Sequence, residues 1–281
     1  MNTLTIQQRL GLSVILGLLA GALMAPSAPA ASYTVDWMQM PPTAFGSTLP
    51  MNNTFNLPGV GNVQMSYTPA NGTSGNYTAL RSQIAPFTSG SVNHTGDTFS
   101  WTDLEFLTRT HNTPPGAAVP WSVTYTFTDG PVTAGTLALG VMGLGRLDLV
   151  YPGYITTASV TNNGTYLGEY GVSPSYGSNQ FTGFSGSFSL QNALPGDLTP
   201  GSPAFNSALA VVRLEDSISS LTVNFSQIGG DGTGLDIGFI TLVPEPSAVA
   251  LTAIGLAGLL GLRAARRKGA ASAAGPAPGA F

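Results

Sequence analysis

The residues that could carry out chemistry are few. The sequence has two histidines, His94 and His111, and no cysteine, so thiol catalysis and disulfide bonds are excluded. The two histidines lack the paired spacing of a zinc site, and no Gly-x-Ser-x-Gly segment presents a serine nucleophile. Asp103 and Glu105 share one face of a predicted strand. Two carboxylates can hydrolyse a glycoside when they flank the sugar about 5 to 9 Å apart. Neighbouring acids on one strand do not straddle a substrate, so we favour an exposed acidic face and keep a secreted hydrolase as the lesser alternative.

The glycine-rich segment 229–236 contains the candidate metal ligands. Asp231 and Asp236 could offer carboxylates to calcium, which accepts irregular shells of oxygen ligands. The segment approaches a glycine–aspartate calcium repeat, but Gly234 stands where the aspartate belongs and the segment occurs only once. Such repeats need stacked neighbours to bury a core. We therefore favour a glycine-rich hairpin whose aspartates cap turns, with calcium at Asp231 and Asp236 as the alternative and no other cofactor.

Aromatic and hydroxyl side chains supply the candidate binding residues. Trp37, Trp101 and Trp121 could form a platform on which sugars stack, and Trp37 is the candidate ligand residue. Trp101 and Trp121 lie on alternating strands, which favours burial in the core. The residues at 124, 126 and 128 form a Thr-x-Thr-x-Thr face that could order water if it were repeated over several strands. A single strand is no array, and outward threonine is normal on a half-exposed strand.

The elements that must position these residues are predicted to be β-strands. The segment 121–128 alternates strictly between apolar and hydroxyl residues, and 218–228 and 235–243 are similarly patterned. Weaker strands are predicted at 63–67, 99–107, 137–142, 147–151, 155–161, 184–190 and 209–214, with loops at 40–58 and 192–206. The 36 glycines and 21 prolines disfavour a helix-rich domain. Short strands separated by turns predict an all-β domain of the β-sandwich or jelly-roll kind.

The charge distribution narrows the range of partners. Only 8% of residues are charged, against roughly 25% in ordinary soluble domains. The segment 32–243 is acidic and lacks lysine, which argues against nucleic acid and against anionic membrane surfaces. Neutral polysaccharide, divalent cations and other protein surfaces remain as partners. The basic residues in that segment are Arg81, Arg109, Arg146 and Arg213.

The N-terminal segment 1–31 is predicted to be a signal peptide. Arg9 precedes an apolar stretch at 10–23, and Ala28-Pro29-Ala30 fits the small-x-small rule for cleavage. Cleavage is expected after Ala30 or Ala31. An uncleaved anchor is the alternative, and either outcome predicts that the segment after it is exported.

The C-terminal segment 244–268 has three parts in a fixed order. Pro244, Glu245 and Pro246 form a stiff, extended strip, because each proline fixes φ and restricts the residue before it. The uncharged stretch 247–262 would be about 24 Å long as a helix, a little short of a bilayer core of about 30 Å. A basic cluster follows and predicts a cytoplasmic end, because such residues stay on that side of a membrane. The cluster consists of Arg263, Arg266, Arg267 and Lys268.

This order of motif, apolar stretch and basic cluster, behind a signal peptide, resembles the PEP-CTERM proteins, which are bacterial surface or secreted proteins. The same tail is also catalogued as an ice-binding-protein C-terminal domain, a label that carries no evidence of ice binding. The resemblance implies that Pro244, Glu245 and Pro246 are a sorting motif for exosortase, a membrane-embedded cysteine transpeptidase-like enzyme. It covers about a tenth of the chain. The Ala/Gly/Pro-rich segment 269–281 departs from it, because family members end soon after the basic cluster.

The sequence therefore predicts an exported, non-enzymatic β-protein of the cell surface or extracellular matrix. Its parts would be a signal peptide at 1–31, an ectodomain at 32–243, a sorting signal with one transmembrane helix at 244–268, and a disordered tail at 269–281. Before processing it would be held in the membrane with its N-terminus outside. Low-specificity adhesion through a polar Thr/Ser/Asn surface, in a biofilm or exopolysaccharide, is the expected role, and a carbohydrate-binding module is the alternative.

Overall fold

The described part of the molecule consists of strands and the turns between them. A computed structural model describes residues 30–39, 52–68, 87–110, 118–146, 155–172, 177–193, 207–228 and 232–244, which contain fifteen strands and no helix. The strands are β1 (Ser32–Trp37), β2 (Asn52–Leu57), β3 (Gly61–Thr68), β4 (Gly90–His94), β5 (Asp97–Trp101), β6 (Leu107–Thr110), β7 (Val119–Phe127), β8 (Leu137–Met142), β9 (Thr157–Val160), β10 (Gly164–Tyr170), β11 (Asn179–Phe184), β12 (Ser187–Asn192), β13 (Leu209–Leu214), β14 (Ser220–Gln227) and β15 (Gly232–Val243).

One sheet has eight strands and curls until its two ends meet. Its order is β10-β13-β8-β15-β1-β5-β4, and β6 pairs with the first part of β15. The pairing of β1 with β5 is parallel, and the other pairs are antiparallel. The terminal strands β10 and β4 approach each other, since a Cβ added at Gly90 of β4 would lie 2.7 Å from the ring of Tyr170 in β10. The Tyr170 ring also meets that of Trp101 in β5 edge to face, with centroids 5.4 Å apart. The eight-stranded sheet is therefore nearly closed.

The other sheet has seven strands in the order β11-β12-β9-β14-β7-β3-β2, and all its pairs are antiparallel. Its central strand β14 lies between β9 and β7. Alternate residues of β7 point inward and are buried, from Trp121 to Phe127. The strict period of two is what a sheet with one buried and one solvated face requires.

Two apolar cores hold the fold together. The first lies between the two sheets and takes Leu139 and Val212 from the eight-stranded sheet and Val123 and Val223 from the seven-stranded sheet. The second, which we call the inner core, fills the curl of the eight-stranded sheet. Strands β8 and β13 contribute to both cores from their opposite faces, so they are apolar at nearly every position.

The prediction of an all-β fold is confirmed for the described residues, and so are several individual strands. The predicted bounds of β8 and β13 are the observed ones, and Trp101 and Trp121 are buried. Three expectations are wrong. Strand β2 lies inside the segment predicted as the loop 40–58. The strand predicted at 184–190 spans the turn at 185–186 between β11 and β12, so it is not one continuous strand. The strand predicted at 99–107 ends at Trp101, and β6 begins at Leu107. The strand predicted at 147–151 lies outside the described residues.

Candidate functional surface

The outward side of the seven-stranded sheet, which we call the polar face, is built from uncharged polar side chains. Because side chains alternate along a strand, the residues between the buried apolar ones all point outward. Apart from Pro120 and Phe184, the outward residues of the seven strands are Ser, Thr, Asn or Gln. They are Asn52, Thr54 and Asn56; Asn62, Gln64, Ser66 and Thr68; Ser122, Thr124 and Thr126; Thr157 and Ser159; Gln180 and Thr182; Ser187, Ser189 and Gln191; and Ser220, Thr222, Asn224 and Ser226.

The register aligns these side chains into rows across the strands. One row crosses six neighbouring strands through residues paired at their Cα atoms. Since neighbouring strands lie about 4.8 Å apart, the row is about 24 Å long. It consists of Thr68, Ser122, Asn224, Ser159, Ser189 and Thr182.

Ionisable groups are segregated between the two sheets. None of the strands of the seven-stranded sheet contains Asp, Glu, His, Lys or Arg. Every strand of the eight-stranded sheet except β8 contains one. Those residues are Asp36, His94, Asp97, Arg109, Glu169, Arg213 and Asp236.

Hydrogen bonds between neighbouring side chains order parts of the polar face. The hydroxyls of Thr124 and Thr222 lie 2.9 Å apart across β7 and β14. The amide of Gln191 donates to the side-chain oxygen of Gln180 at 2.8 Å across β12 and β11. Hydroxyls and amides can both donate and accept hydrogen bonds. The polar face can therefore exchange hydrogen bonds with a hydroxylated partner without removing a charge from water.

Trp37, the candidate sugar ligand, lies in the inner core. Its side chain is only 2% exposed and meets the ring of Trp101 edge to face at 6.1 Å. The strands beneath it carry glycine where the ring rests: a Cβ at Gly140 or Gly238 would lie 3.0 or 2.8 Å from it. A stacking platform needs an accessible ring face, so the prediction that Trp37 stacks on sugar is wrong, because packing covers the ring.

Trp121 is covered on its ring faces as well. It stacks on Phe225 of β14 at 4.1 Å, and the Arg109 guanidinium carbon lies 5.3 Å from its ring centroid. The Arg109 guanidinium also donates to the side-chain oxygen of Gln227 at 2.7 Å. This buried contact joins β6 of one sheet to β7 and β14 of the other, so Arg109 connects the two sheets.

Asp236 is a buried carboxyl of strand β15. It is 0% exposed, and the backbone N–H of Ile237 donates to its Oδ1 at 2.8 Å, while its Oδ2 is buried without a hydrogen-bond partner. Burial raises its pKa well above the ordinary value, against the hydrogen bond from Ile237, and the nearby Glu105 raises it further. The expectation that this aspartate caps a turn is wrong, because it lies within a strand.

The structure describes only one of the two predicted calcium ligands, Asp236. Asp231 lies outside the described residues. Within the described ranges, no group of three or more His, Asp or Glu side chains is arranged to hold a metal ion.

The remaining predicted chemical residues do not form a common site in the part of the chain that is described. Asp103 and Glu105 lie in the connection between β5 and β6, not on a strand, and they alternate with the buried Leu104 and Phe106. His94 ends β4 beside the turn to β5, not in a loop, and His111 lies outside the described residues.

Most of the predicted sorting residues lie outside the part of the chain that the structure describes. Pro244 is the last described residue and is exposed, while Glu245, Pro246, Arg263, Arg266, Arg267 and Lys268 lie outside the described residues. The described ranges contain no helix of a length and hydrophobicity suited to crossing a membrane.

Comparisons with known proteins found no match: no protein-family model, no curated protein and no solved structure is significantly similar to the chain. The PEP-CTERM resemblance therefore stays a prediction that rests on the tail residues.

The sequence predicts a polar Thr/Ser/Asn surface but does not locate it on one side of one sheet. The Thr-x-Thr-x-Thr pattern at 124–128, which begins in β7, was its signal, but one strand could not show that its neighbours in space continue the pattern. Strand β7 lies between β3 and β14, which are far from it in sequence.

Proposed function

We propose that the chain is an exported protein of the cell surface or extracellular matrix that acts by adhesion and not by catalysis. Segment 1–31 directs export, 32–243 is a sandwich-like or jelly-roll-like ectodomain, and 244–268 is a PEP-CTERM sorting signal that spans the membrane until exosortase processes it. Segment 269–281 is a cytoplasmic extension without a role in adhesion. The order of the motifs at the two ends of the chain supports export and sorting. The two-sheet structure between them supports the proposal that this part is the exported domain.

The polar face is the observation that carries the proposed adhesion. A partner that covers it must tolerate a surface without charge and must satisfy many hydroxyl and amide groups, because buried polar groups without hydrogen bonds cost about 1 to 3 kcal/mol each. Neutral polysaccharide meets both conditions, since each sugar carries several hydroxyls and no charge. A row about 24 Å long suits an extended polymer better than a small molecule.

A carbohydrate-binding module is the second candidate, and the same face favours it. The two differ in selectivity: an adhesive protein binds many neutral polymers weakly, whereas a module distinguishes one linkage from another. The burial of Trp37 and Trp121 removes the stacking that gives many sugar sites their selectivity, so low-specificity adhesion is the first proposal.

Charge placed on the polar face tests the adhesion. We expect Ser159→Asp to weaken binding of the exported protein to insoluble neutral polysaccharide about tenfold in a sedimentation assay, because the new carboxylate would be covered without a counter-charge. The matched control is Ser91→Asp, which alters another exposed strand serine, in β4 of the eight-stranded sheet, and should leave binding unchanged. Equal affinities for the two variants would contradict the proposal.

Replacement of Pro244, Glu245 and Pro246 by alanine tests the delivery route. We expect the precursor to stay in the membrane fraction and to lose its processed form on a gel. Unchanged localisation and processing would contradict the sorting role and would leave the adhesion test standing.

A further inference from the structure

The start of β1 holds a backbone amide in a position that suits a charged chain end. The backbone N–H of Ala31 donates to Oδ1 of Asp97 at 2.9 Å. The Ala31 carbonyl accepts from the N–H of Thr98, also at 2.9 Å. Both partners belong to β5, which lies parallel to β1 and pairs with it from Ser32. Ala31 is therefore fixed by two bonds, whereas Ala30 is exposed.

Resting on the proposed export, we infer that the signal peptide is removed at the Ala30–Ala31 bond and that Asp97 is the built-in partner of the new N-terminus. The two candidate cleavage sites, after Ala30 and after Ala31, have different structural consequences. Cleavage after Ala30 keeps both Ala31 contacts and leaves Ala28 and Ala30 as the small residues of the cleavage rule. Cleavage after Ala31 removes both contacts and places Pro29 at the position where a small residue belongs.

The chemistry of cleavage changes the contact with Asp97. A signal peptidase hydrolyses the Ala30–Ala31 amide with one water molecule, which leaves a carboxylate on Ala30 and an amine on Ala31. That amine takes up a proton at neutral pH, since the ordinary pKa of an α-amine is about 8. The neutral N–H donor becomes an ammonium beside a carboxylate, and charge-assisted hydrogen bonds are roughly twice as strong as neutral ones.

Removal of the signal peptide thus adds an ion pair that joins the first residue of the body to β5. A further titratable side chain, His94, lies opposite Asp97 across the β4–β5 turn. A measurement on the α-amine itself separates the proposed pair from any effect of His94.

The first test locates the chain end. The full chain is expressed in a secreting bacterial host, free α-amines are labelled, and the N-terminal peptide of the exported product is sequenced by mass spectrometry. We expect Ala31 as the first residue. An exported chain that begins at any residue other than Ala31, the uncleaved chain included, overturns this inference and leaves the export proposal intact, whereas a chain that stays in the cytoplasm overturns both.

The second test asks whether Asp97 senses the new charge. Acetylation of the α-amine of the exported protein should lower its Tm by about 2 °C, the size expected for a partly exposed ion pair. In Asp97→Asn acetylation should have no effect. The matched control is Asp129→Asn, because Asp129 Oδ2 accepts an internal backbone N–H, that of Asn62, at 2.8 Å. This variant should lose as much Tm on acetylation as the wild type. Equal shifts in all three proteins, or none in any, would overturn the role of Asp97.

Discussion

The two sheets have similar numbers of strands but opposite surroundings. The central strands of the eight-stranded sheet are buried on both faces, between the inner core and the core shared with the other sheet. The seven-stranded sheet is buried on one face only and presents the polar face on the other. Ionisable residues lie on strands of the eight-stranded sheet, whereas hydroxyl and amide side chains cover the outward side of the seven-stranded sheet.

Under the proposed function, the difference lets a chain with few charges place its stability and its adhesion on separate sheets. Strands buried on both faces need apolar residues at successive positions, as in β8. Strands buried on one face need only alternate ones, so half of each strand in the seven-stranded sheet is free to vary without disturbing the core. Adhesive chemistry is therefore expected on the seven-stranded sheet, and the largest losses of stability on the eight-stranded one.

The largest expected effect comes from removing an aromatic ring from the inner core. Trp37→Ala should lower the free energy of unfolding by about 3 to 5 kcal/mol, because it removes a buried indole and leaves a cavity. Denaturant unfolding followed by circular dichroism measures the change. Phe184→Ala is the control on the seven-stranded sheet: its ring is 61% exposed, so the change should stay within about 0.5 kcal/mol. Similar losses for the two variants would remove the distinction between the sheets.

A smaller effect, with a characteristic dependence on pH, is expected at Asp236. Burial raises the pKa of this carboxyl, so the folded state binds its proton more tightly than the unfolded state does. The resulting stabilisation is complete below about pH 4 and is lost as pH rises through the folded pKa. Asp236→Asn stays neutral at every pH. It should therefore gain stability over the wild type as pH increases, by about 1 to 3 kcal/mol, measured by unfolding across the pH range.

Asp216 gives the opposite sign and serves as the control. The side chain and backbone N–H of Asn163 donate to its carboxylate and lower its pKa. Its contribution is present above about pH 4 and is lost as pH falls through the folded pKa. Asp216→Asn should be less stable than the wild type at neutral pH and should converge with it in acid. A parallel pH dependence of the two variants would contradict the assignment of Asp236 to a desolvated site.

The smallest effect concerns the hydroxyl pair on the polar face. Thr124→Val and Thr222→Val should each lower stability slightly, and the double variant should lose less than the sum, with a coupling of about 0.5 kcal/mol. A double-mutant cycle by denaturant unfolding measures it. Thr124→Val combined with Ser189→Ala should be additive, because β14 and β9 separate the two strands. Additivity in both cycles would mean that the hydroxyls do not cooperate.

The sequence predicted strands well where burial alone determines the pattern. Strand β7 alternates strictly and β8 is continuously apolar, so each was predicted to within two residues. The turn at Ser185 and Gly186 was missed because Phe184, Phe188 and Leu190 all stand at even positions, as the alternating apolar residues of one continuous strand would. Strand β2 was missed because its asparagines favour turns, and only pairing with β3 and burial of Phe55 and Leu57 make it a strand.

The candidate surface and the buried carboxyl were beyond sequence reasoning for a different reason. Both depend on which strands become neighbours, and that order brings together strands distant along the chain. The outward positions of Thr124 and Thr222 were both predictable, but the sequence did not show that the two residues are neighbours. Asp236 could not be placed either, because only the closing of the eight-stranded sheet turns its side of β15 into an interior.

The pairing of the first strand with the last has a mechanical consequence. Ser32 and Val243 are partners at one end of the β1–β15 ladder, so both ends of the described body leave it at the same point. Strand β15 pairs with β8 on one side, from Gly234 to Phe239, and with β6 and then β1 on the other, where β1 pairs with it as far as Val243. A pull on Pro244 along the strand axis therefore loads many hydrogen bonds at once in shear, instead of peeling them apart singly. A body tethered there would resist being torn from its anchor while its polar face holds a load.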